Sequence, residues 1–261
     1  MKLYKLYWLT LLVFLPIACW LKPESYPGGW MEIAENLTAF RTTWNGEIWF
    51  LFPYMLLALS CQWTFALLDR VGCRKMLITC GVLFYISLIL IKLYREPFFY
   101  HHYASYHVAI YFECMLMFVV GAAFCKSAYR ESNSGILARL LSLPQWALIG
   151  MFLGVYLLAC ATPHTFVFGP FFQSALILLF IHINWRGIAK SGFCLLGRYS
   201  TVVWFIHTWI CYYCFKELIY GSHYPVVMLA VTFATSLGIG YVIQKVDRWT
   251  SQVMRLEEKR K

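Results

Sequence analysis

Eight apolar segments, separated by short charged connections, occupy most of this chain of 261 residues. Each segment is about 16 to 23 residues long, close to the ~20 residues that a helix needs to cross ~30 Å of hydrocarbon. Because a segment surrounded by lipid satisfies all its backbone groups only as a helix, the pattern predicts an all-α, polytopic membrane helix bundle with about eight transmembrane helices. The predicted spans are Leu6–Leu21, Ile48–Leu68, Met76–Ile91, Val108–Cys125, Leu140–Thr162, Phe166–Trp185, Tyr199–Phe215 and Tyr224–Gln244.

Lysine and arginine alternate across the connections between these segments. The odd-numbered connections hold five of the 22 basic residues, and the N-terminus, the even-numbered connections and the C-terminal tail hold the other 17. Since positive residues stay on the cytoplasmic side, the pattern predicts that both termini are cytoplasmic. The asymmetry also accounts for the formal net charge of +10, so no nucleic-acid partner is predicted. The five outer residues are Lys22, Arg41, Lys92, Arg95 and Lys216.

The composition excludes an ordinary soluble domain. Hydrophobic residues make up 61% of the chain and charged residues 13%, whereas about 25% of the residues of a soluble domain are charged. The first segment lacks the small-residue cleavage pattern of a signal peptide, so we expect it to be retained. Short connections predict one membrane domain over residues 1–246, followed by a basic cytoplasmic tail over residues 247–261. The longest outer connection, residues 22–47, contains a stretch from Trp30 to Leu37 that favours an amphipathic interfacial helix.

Cysteines and histidines could suggest disulfides or a metal, but their positions favour neither. Eight of the ten cysteines lie within predicted spans, where Cys packs as a small hydrophobe. The pair Cys211 and Cys214 lies inside one predicted helix, which favours packing over a redox or metal site. Three outer histidines have only Glu96 as a nearby carboxylate, so an interfacial loop is favoured and no metal is predicted. These histidines are His101, His102 and His107.

Ionisable groups inside spans are costly in lipid, so each is a candidate for function. Glu113 is the one carboxylate well inside a predicted span, about two turns from the outer end. At helical spacing it shares a face with Met117 and Gly121, and we expect this face to point into the bundle. A catalytic carboxylate and a neutral structural carboxyl both remain open.

His207 lies in the middle of the seventh predicted span. At helical spacing it shares a face with Ser200, Trp204 and Cys211, and we expect this face to point inward rather than at lipid. A neutral imidazole at that depth can act as a base, as a donor or as a bond between helices. His182 lies nearer the cytoplasmic end of its span, which favours a structural part for that residue.

Asn45, Gly46, Glu47 and Trp49 form a third candidate, at the outer mouth of the second predicted span. Gly46 permits a tight turn, and the Glu47 anion suits a helix N-terminus. A helix-capping residue followed by an interfacial Trp anchor would produce the same sequence, so a functional and a purely structural interpretation both stay open.

Two stretches resemble the acyltransferase family 3 integral membrane proteins of bacteria. Asn45-Gly-Glu-Ile-Trp-Phe-Leu-Phe-Pro-Tyr-Met-Leu-Leu is similar to the family's "lWFl" entry to an inner span. Leu196-Gly-Arg-Tyr-Ser-Thr-Val-Val-Trp-Phe-Ile-His-Thr-Trp-Ile is similar to a late "lGkyS–hydrophobic–iH" segment, and matches it at Gly197, Tyr199, Ser200 and His207. The resemblance covers nearly the whole chain. It implies a multi-pass protein of the bacterial inner membrane that moves acyl groups, commonly acetyl, onto sugars.

The chain also departs from the family pattern. Family members typically have about ten spans, and their first span carries a basic residue and a histidine taken to be catalytic. Here Leu6–Leu21 has no His, Asp, Glu or Arg and resembles the family's third span. We therefore expect two N-terminal spans to be missing. A truncated gene model, a natural inactive relative and a shortened enzyme with another base all remain open.

The resemblance implies an acyl-coenzyme A donor that arrives from the cytoplasm and a carbohydrate acceptor. Acyl transfer needs a general base for the hydroxyl proton and donors for the developing oxyanion. Glu113 and His207 are the candidate catalytic residues, and Arg70, Arg74 and Arg198 are the candidates for binding the phosphates of the donor. Asn45, Glu47 and Trp49 are the candidates for binding the acceptor. Membrane topology alone also explains the arginines, and a transporter-like or scaffold protein without chemistry is the alternative function.

Overall fold

The computed structural model describes residues 2–94, 102–130, 142–163 and 165–258. Within these ranges every regular element is helical and no strand occurs, so the all-α prediction is confirmed. A 3-10 turn covers Gly46–Ile48, and a π-helical turn covers Trp209–Cys214. The α-helices are α1 (Lys2–Leu21), α2 (Trp30–Leu37), α3 (Leu51–Val71), α4 (Cys73–Tyr94), α5 (Tyr103–Arg130), α6 (Gln145–Ala161), α7 (Thr165–His182), α8 (Gly187–Thr208), α9 (Lys216–Tyr220) and α10 (Pro225–Glu258).

Five helical stretches of the described chain are long and apolar enough to cross a membrane. Helices α6 and α7 are also apolar but shorter, and α8 does not belong to the five. The chain thus has the helices of a multi-pass membrane protein, while the number eight stays a prediction. The five stretches are Lys2–Leu21, Gly46–Val71, Cys73–Leu93, Tyr103–Cys125 and Pro225–Val253.

Most helices extend a few residues beyond their predicted spans, and two of them extend much further. Helix α8 begins at Gly187, well before the predicted start at Tyr199, and its first turns are exposed. Helix α10 continues from Pro225 to Glu258, so the predicted tail begins inside a continuous helix. Hydropathy marks only the apolar part of a helix, whereas polar residues such as Lys, Arg, Gln and Glu continue the backbone ladder with little penalty.

The contacts of the chain group into two compact units, residues 1–51 with 187–261 and residues 52–186. In the first unit, helices α1, α8 and α10 pack together with the π turn. Aromatic side chains fill its core: Phe14 stacks on Trp209 with ring centroids 5.8 Å apart, and Tyr7 meets Phe205 at 6.0 Å. In lipid, such van der Waals packing and interhelical hydrogen bonds hold helices together.

An ion pair joins α1 to α10 in this unit. Lys5 Nζ lies 2.9 Å from Asp247 Oδ1 and also donates to Ser251 Oγ at 2.7 Å. Because each charge neutralises the other, both can be partly buried beside apolar helices.

The second unit is held by the pair α4 and α5 and by the pair α6 and α7. Leu68, Phe84 and Val119 lie in the core that α3, α4 and α5 share. Ser60 Oγ and Tyr111 Oη are 2.8 Å apart and link α3 to α5.

Candidate functional site

The connection between α1 and the 3-10 turn does not stay at one end of α1. Tyr4 Oη donates to Thr38 O at 2.7 Å, Tyr7 Oη to Asn36 O at 2.6 Å, and Trp8 Nε1 to Leu37 O at 2.9 Å. These donors lie in the first two turns of α1, about 20 Å from its C-terminal end at a rise of 1.5 Å per residue. Residues 22–45, here called the fold-back loop, therefore return along α1 toward its N-terminus.

The sequence predicts an outer connection over residues 22–47 with an amphipathic helix in it, and it gives no sign that this connection returns along α1. A helix does form at Trp30–Leu37, but its last carbonyls lie against the first turns of α1. Those carbonyls need donors, and the hydroxyl and indole groups of α1 supply them.

The fold-back loop satisfies its own buried polar groups. The Asn36 side chain is buried, and its amide nitrogen donates to Glu32 O at 2.9 Å and to Thr43 Oγ1 at 2.8 Å. Its amide oxygen accepts the Trp44 N–H at 3.0 Å. The Trp44 indole donates to Pro27 O at 3.0 Å. Irregular backbone is tolerated at membrane depth when protein covers it in this way.

Tyr26 belongs to the same cluster. Its ring contacts Trp209, and its hydroxyl donates to Trp44 O at 3.3 Å. Burial, aided by nearby titratable groups, raises the pKa of Tyr26 to about 12. A tyrosine hydroxyl is already protonated at neutral pH, and the raised pKa keeps this one a donor in alkaline solution as well.

Asn45 connects the fold-back loop to the end of α8. The side chain is 2% exposed. Its amide nitrogen donates to Phe205 O at 3.3 Å, and its oxygen accepts from Thr208 Oγ1 at 2.9 Å and from Glu47 N at 3.2 Å. The structure thus uses this amide inside the protein, whereas the sequence led us to expect it to bind an acceptor.

Two further contacts join the same regions. The Gly46 N–H donates to Tyr213 Oη at 3.2 Å, and the Phe50 ring packs against Trp204. Residues 45–50, which we call the entry turn, therefore contact residues 204–208, which we call the α8 end, and also the π turn that follows it. Sequence reasoning singled out neither Thr208 nor Tyr213, because a Thr and a Tyr in an apolar run carry no distinctive pattern.

His207 lies in the α8 end and is half-buried. Its Nδ1 lies 2.7 Å from Trp204 O. A carbonyl oxygen only accepts, so Nδ1 carries a proton and the neutral ring has its lone pair on Nε2. The most buried face of α8 holds Tyr199, Val202 and Phe205. The predicted face of His207 is thus beside the core rather than at its centre, because the aromatic residues fill the space against α1.

Glu47 and Trp49 are both exposed at the entry turn. They are free to meet a ligand from solvent or from lipid headgroups, which Asn45 beside them is not. In the same unit Arg198 is exposed, and its carbonyl accepts from Gln244 Nε2 at 2.7 Å.

The remaining candidates lie in the second unit. Arg70 and Arg74 are exposed on either side of Gly72, which takes a φ of +90° between α3 and α4. Glu113 is half-buried in α5, and within the described residues no hydrogen-bond partner reaches its buried Oε1. Gly121 of the predicted inward stripe is exposed.

The core-facing positions of α5 differ from that predicted stripe. The most buried face carries Met115, Val119 and Ala122. Glu113 therefore lies outside the most buried face, which contributes Met115 and Val119 to the core shared with α3 and α4.

The described residues hold no group of three His, Cys, Asp or Glu side chains placed to bind a metal ion. His107 is buried against Phe52 with ring centroids 4.7 Å apart, and His102 is exposed. His101 and Glu96 lie outside the described residues. The ten cysteines are free thiols.

No family model, no curated protein and no solved structure matches this chain.

Proposed function

We propose that this protein is an integral membrane acyltransferase that moves an acyl group, in the first place acetyl, from a coenzyme A thioester to a hydroxyl of a sugar or cell-envelope glycan. One observation supports the proposal above the others. The two stretches that resemble acyltransferase family 3 are about 150 residues apart in the sequence, yet the entry turn and the α8 end touch through Asn45, Thr208, Phe50 and Trp204. Contact between the two resembling segments is what a shared site requires.

In this proposal His207 is the general base. Its Nε2 takes the proton of the acceptor hydroxyl, the hydroxyl oxygen attacks the thioester carbon, and the sulfur leaves as the thiolate, which then takes up a proton. A positioned base contributes typically 10²–10⁴-fold to the rate. Glu47 accepts hydrogen bonds from sugar hydroxyls, and the Trp49 indole offers an apolar face to the sugar ring. Glu113, in the second unit, is the other candidate catalytic residue.

Arg198 in the first unit, and separately Arg70 and Arg74 in the second, are the proposed contacts of the coenzyme A phosphates, because a guanidinium group can donate two parallel hydrogen bonds to a phosphate. All three are exposed. Arg70 lies at the end of α3, Arg74 at the start of α4 and Arg198 in α8, and the positive-inside pattern assigns these positions to the cytoplasmic side, where acyl-coenzyme A is available.

The proposed topology has eight spans in a bacterial inner membrane, with both termini in the cytoplasm. The fold-back loop then becomes a re-entrant segment. It leaves the outer end of α1, runs back beside that helix and returns to the entry turn without crossing. Its internally satisfied Asn36 and Trp44 fit such a position.

The test uses the full-length protein in lipid nanodiscs with acetyl-coenzyme A, and follows release of the free thiol with and without glycan acceptors. His207→Ala should lower the rate by about 10²- to 10⁴-fold without changing the amount of folded protein. His182→Ala is the matched control, because His182 is also half-buried and also pairs Nδ1 with a helix carbonyl, at 2.8 Å. Equal rates in wild type and His207→Ala would exclude His207 as the base. An inert wild type would favour the scaffold alternative.

A further inference from the structure

The junction between α8 and the π turn lies directly beside His207. Helix α8 ends at Thr208, and residues Trp209–Cys214 continue with π-helical geometry. A π turn is rare and is often found at functional sites. It needs a local cause, since i→i−4 bonding is the default for a helix, and side chains that bond into the helical ladder are one such cause.

Asn45 supplies that bond. Its amide nitrogen donates to Phe205 O, the carbonyl one turn before Trp209, and its oxygen accepts from Thr208, the last α-helical residue. The next residue, Gly46, donates its backbone N–H to Tyr213 Oη within the π turn. The entry turn therefore holds the chain on both sides of the α-to-π junction.

The same contacts lie close to His207 along the helix. Phe205 and Thr208 flank it in the sequence, and Trp204, whose carbonyl pairs with His207 Nδ1, packs against Phe50. The Asn45 side chain thus supplies hydrogen bonds to this turn of helix, while Phe50 and Tyr7 of α1 supply ring contacts. Asn45 itself is buried and its amide is occupied, so it is placed to act through its neighbours and not on a ligand.

We propose that Asn45 is a positioning residue that fixes the α-to-π junction at Thr208 and thereby the direction of the His207 imidazole. The part that concerns His207 rests on the proposed function, whereas the junction itself does not. The mechanism involves no contact with reacting atoms. Without the Asn45 amide, Phe205 O and Thr208 lose their shared partner, and the π turn relaxes toward an α-helix.

Relaxation has a measurable consequence at Cys211. Its side chain is buried, with Sγ 3.7 Å from Thr232 Oγ1 of α10. A π turn bonds residues five apart and an α-helix bonds residues four apart. Converting the π turn to an α-helix therefore shifts the side chains that follow by about one residue, or about 100° around the helix axis. That rotation would turn Cys211 out of its contact with α10, so its reactivity toward a maleimide reports on the π turn.

The experiment uses the full chain in nanodiscs with the other cysteines replaced by alanine, well below the unfolding temperature. In the Asn45→Ala and Thr208→Val variants, the maleimide should label Cys211 about tenfold faster than in the wild type. A factor of about ten corresponds to a loss of about 1.4 kcal/mol of hydrogen bonding. Thr208→Ser keeps the hydroxyl and should restore the slow rate. Asn36→Ala is the matched control, because the Asn36 side chain is equally buried in the same loop and makes its hydrogen bonds within that loop. Acetyl transfer, measured in parallel, should show a lower kcat with unchanged KM for acetyl-coenzyme A.

Wild-type labelling in both Asn45→Ala and Thr208→Val would overturn the junction proposal. Equal acceleration in Asn36→Ala would overturn it too, since general loosening would then be the cause. Fast labelling with an unchanged kcat would remove the link to His207 and leave the junction. Because labelling needs no turnover, an inert wild type would count against the proposed function alone.

Discussion

In the first unit, residues of the same type differ widely in how much of the side chain is buried. Trp20 and Trp209 have the same side chain, but Trp20 is 81% exposed and Trp209 is 1% exposed. Trp209 contacts Phe14, Tyr26 and Tyr213, so it joins α1, the fold-back loop and the π turn. Position alone makes one of them a lipid- or headgroup-facing residue and the other the centre of a core.

The first prediction concerns this pair. Trp209→Ala should lower the free energy of unfolding by about 3–5 kcal/mol, because truncating a buried aromatic leaves a cavity that its neighbours fill only partly. Trp20→Ala should change it by less than about 0.5 kcal/mol. Thermal unfolding in detergent, followed by circular dichroism, measures both. Similar midpoints for the two variants would contradict the packing described here.

At the scale of elements, α1 is tied to α10 by charge as well as by apolar contact. Lys5→Met leaves Asp247 without its cation, and we expect a loss of about 1–3 kcal/mol for a part-buried group that loses a charged partner. Lys2→Met removes the same charge from an exposed position of the same helix and should have little effect. The double change Lys5→Glu with Asp247→Lys should recover part of the stability. Equal stability of the Lys5 and Lys2 variants would show that the pair is not stabilising.

The fold-back loop gives a second prediction at this scale. Spin labels at Ser25→Cys and Thr38→Cys should report different depths in a bilayer, because Thr38 bonds to Tyr4 near the N-terminal end of α1 and Ser25 follows its C-terminal end. The separation should approach ~20 Å at 1.5 Å per residue. A label at Lys2→Cys should match the depth of Thr38. If Ser25 and Thr38 share one depth, the loop does not return along α1 in the membrane.

Element prediction from the sequence succeeded where the period and length of the pattern were sufficient. The short helix Trp30–Leu37 begins and ends where the amphipathic stretch does. The predicted bounds were wrong at the start of α8 and at the end of α10. There the helical hydrogen bonding continues through polar residues, which a hydropathy pattern does not assign to a span. The π turn could not be predicted, because its cause lies in a side chain more than 150 residues away.

At the scale of the whole molecule, both ends of the chain contribute to one compact unit. The candidate site follows from this closure, since the entry turn precedes residue 51 and the α8 end follows residue 187. The segment between them forms its own unit around α4 and α5. The local sequence does not predict the contact between the entry turn and the α8 end, because contact between distant segments depends on how the intervening chain folds.

Topology is the prediction that belongs to this scale. A reporter at the C-terminus should lie in the cytoplasm, and a cysteine introduced at Ser25 should react with a membrane-impermeant reagent from outside. The charge asymmetry of the connections is the reason. A C-terminus that is labelled from outside would exclude the even number of spans.

The sequence by itself determined that the chain is helical and suited to a membrane, because the length and apolarity of its segments leave no other way to satisfy the backbone in lipid. It also identified residues 45–50 and His207 as candidates. Only the tertiary structure decided that Asn45 is buried and bonded to Phe205 and Thr208, while Glu47 and Trp49 beside it remain exposed. It also decided that residues 22–45 turn back along α1. The physical reason is the same in both cases: a hydrogen bond is satisfied by whichever partner the fold brings near, and distance along the chain does not record that partner.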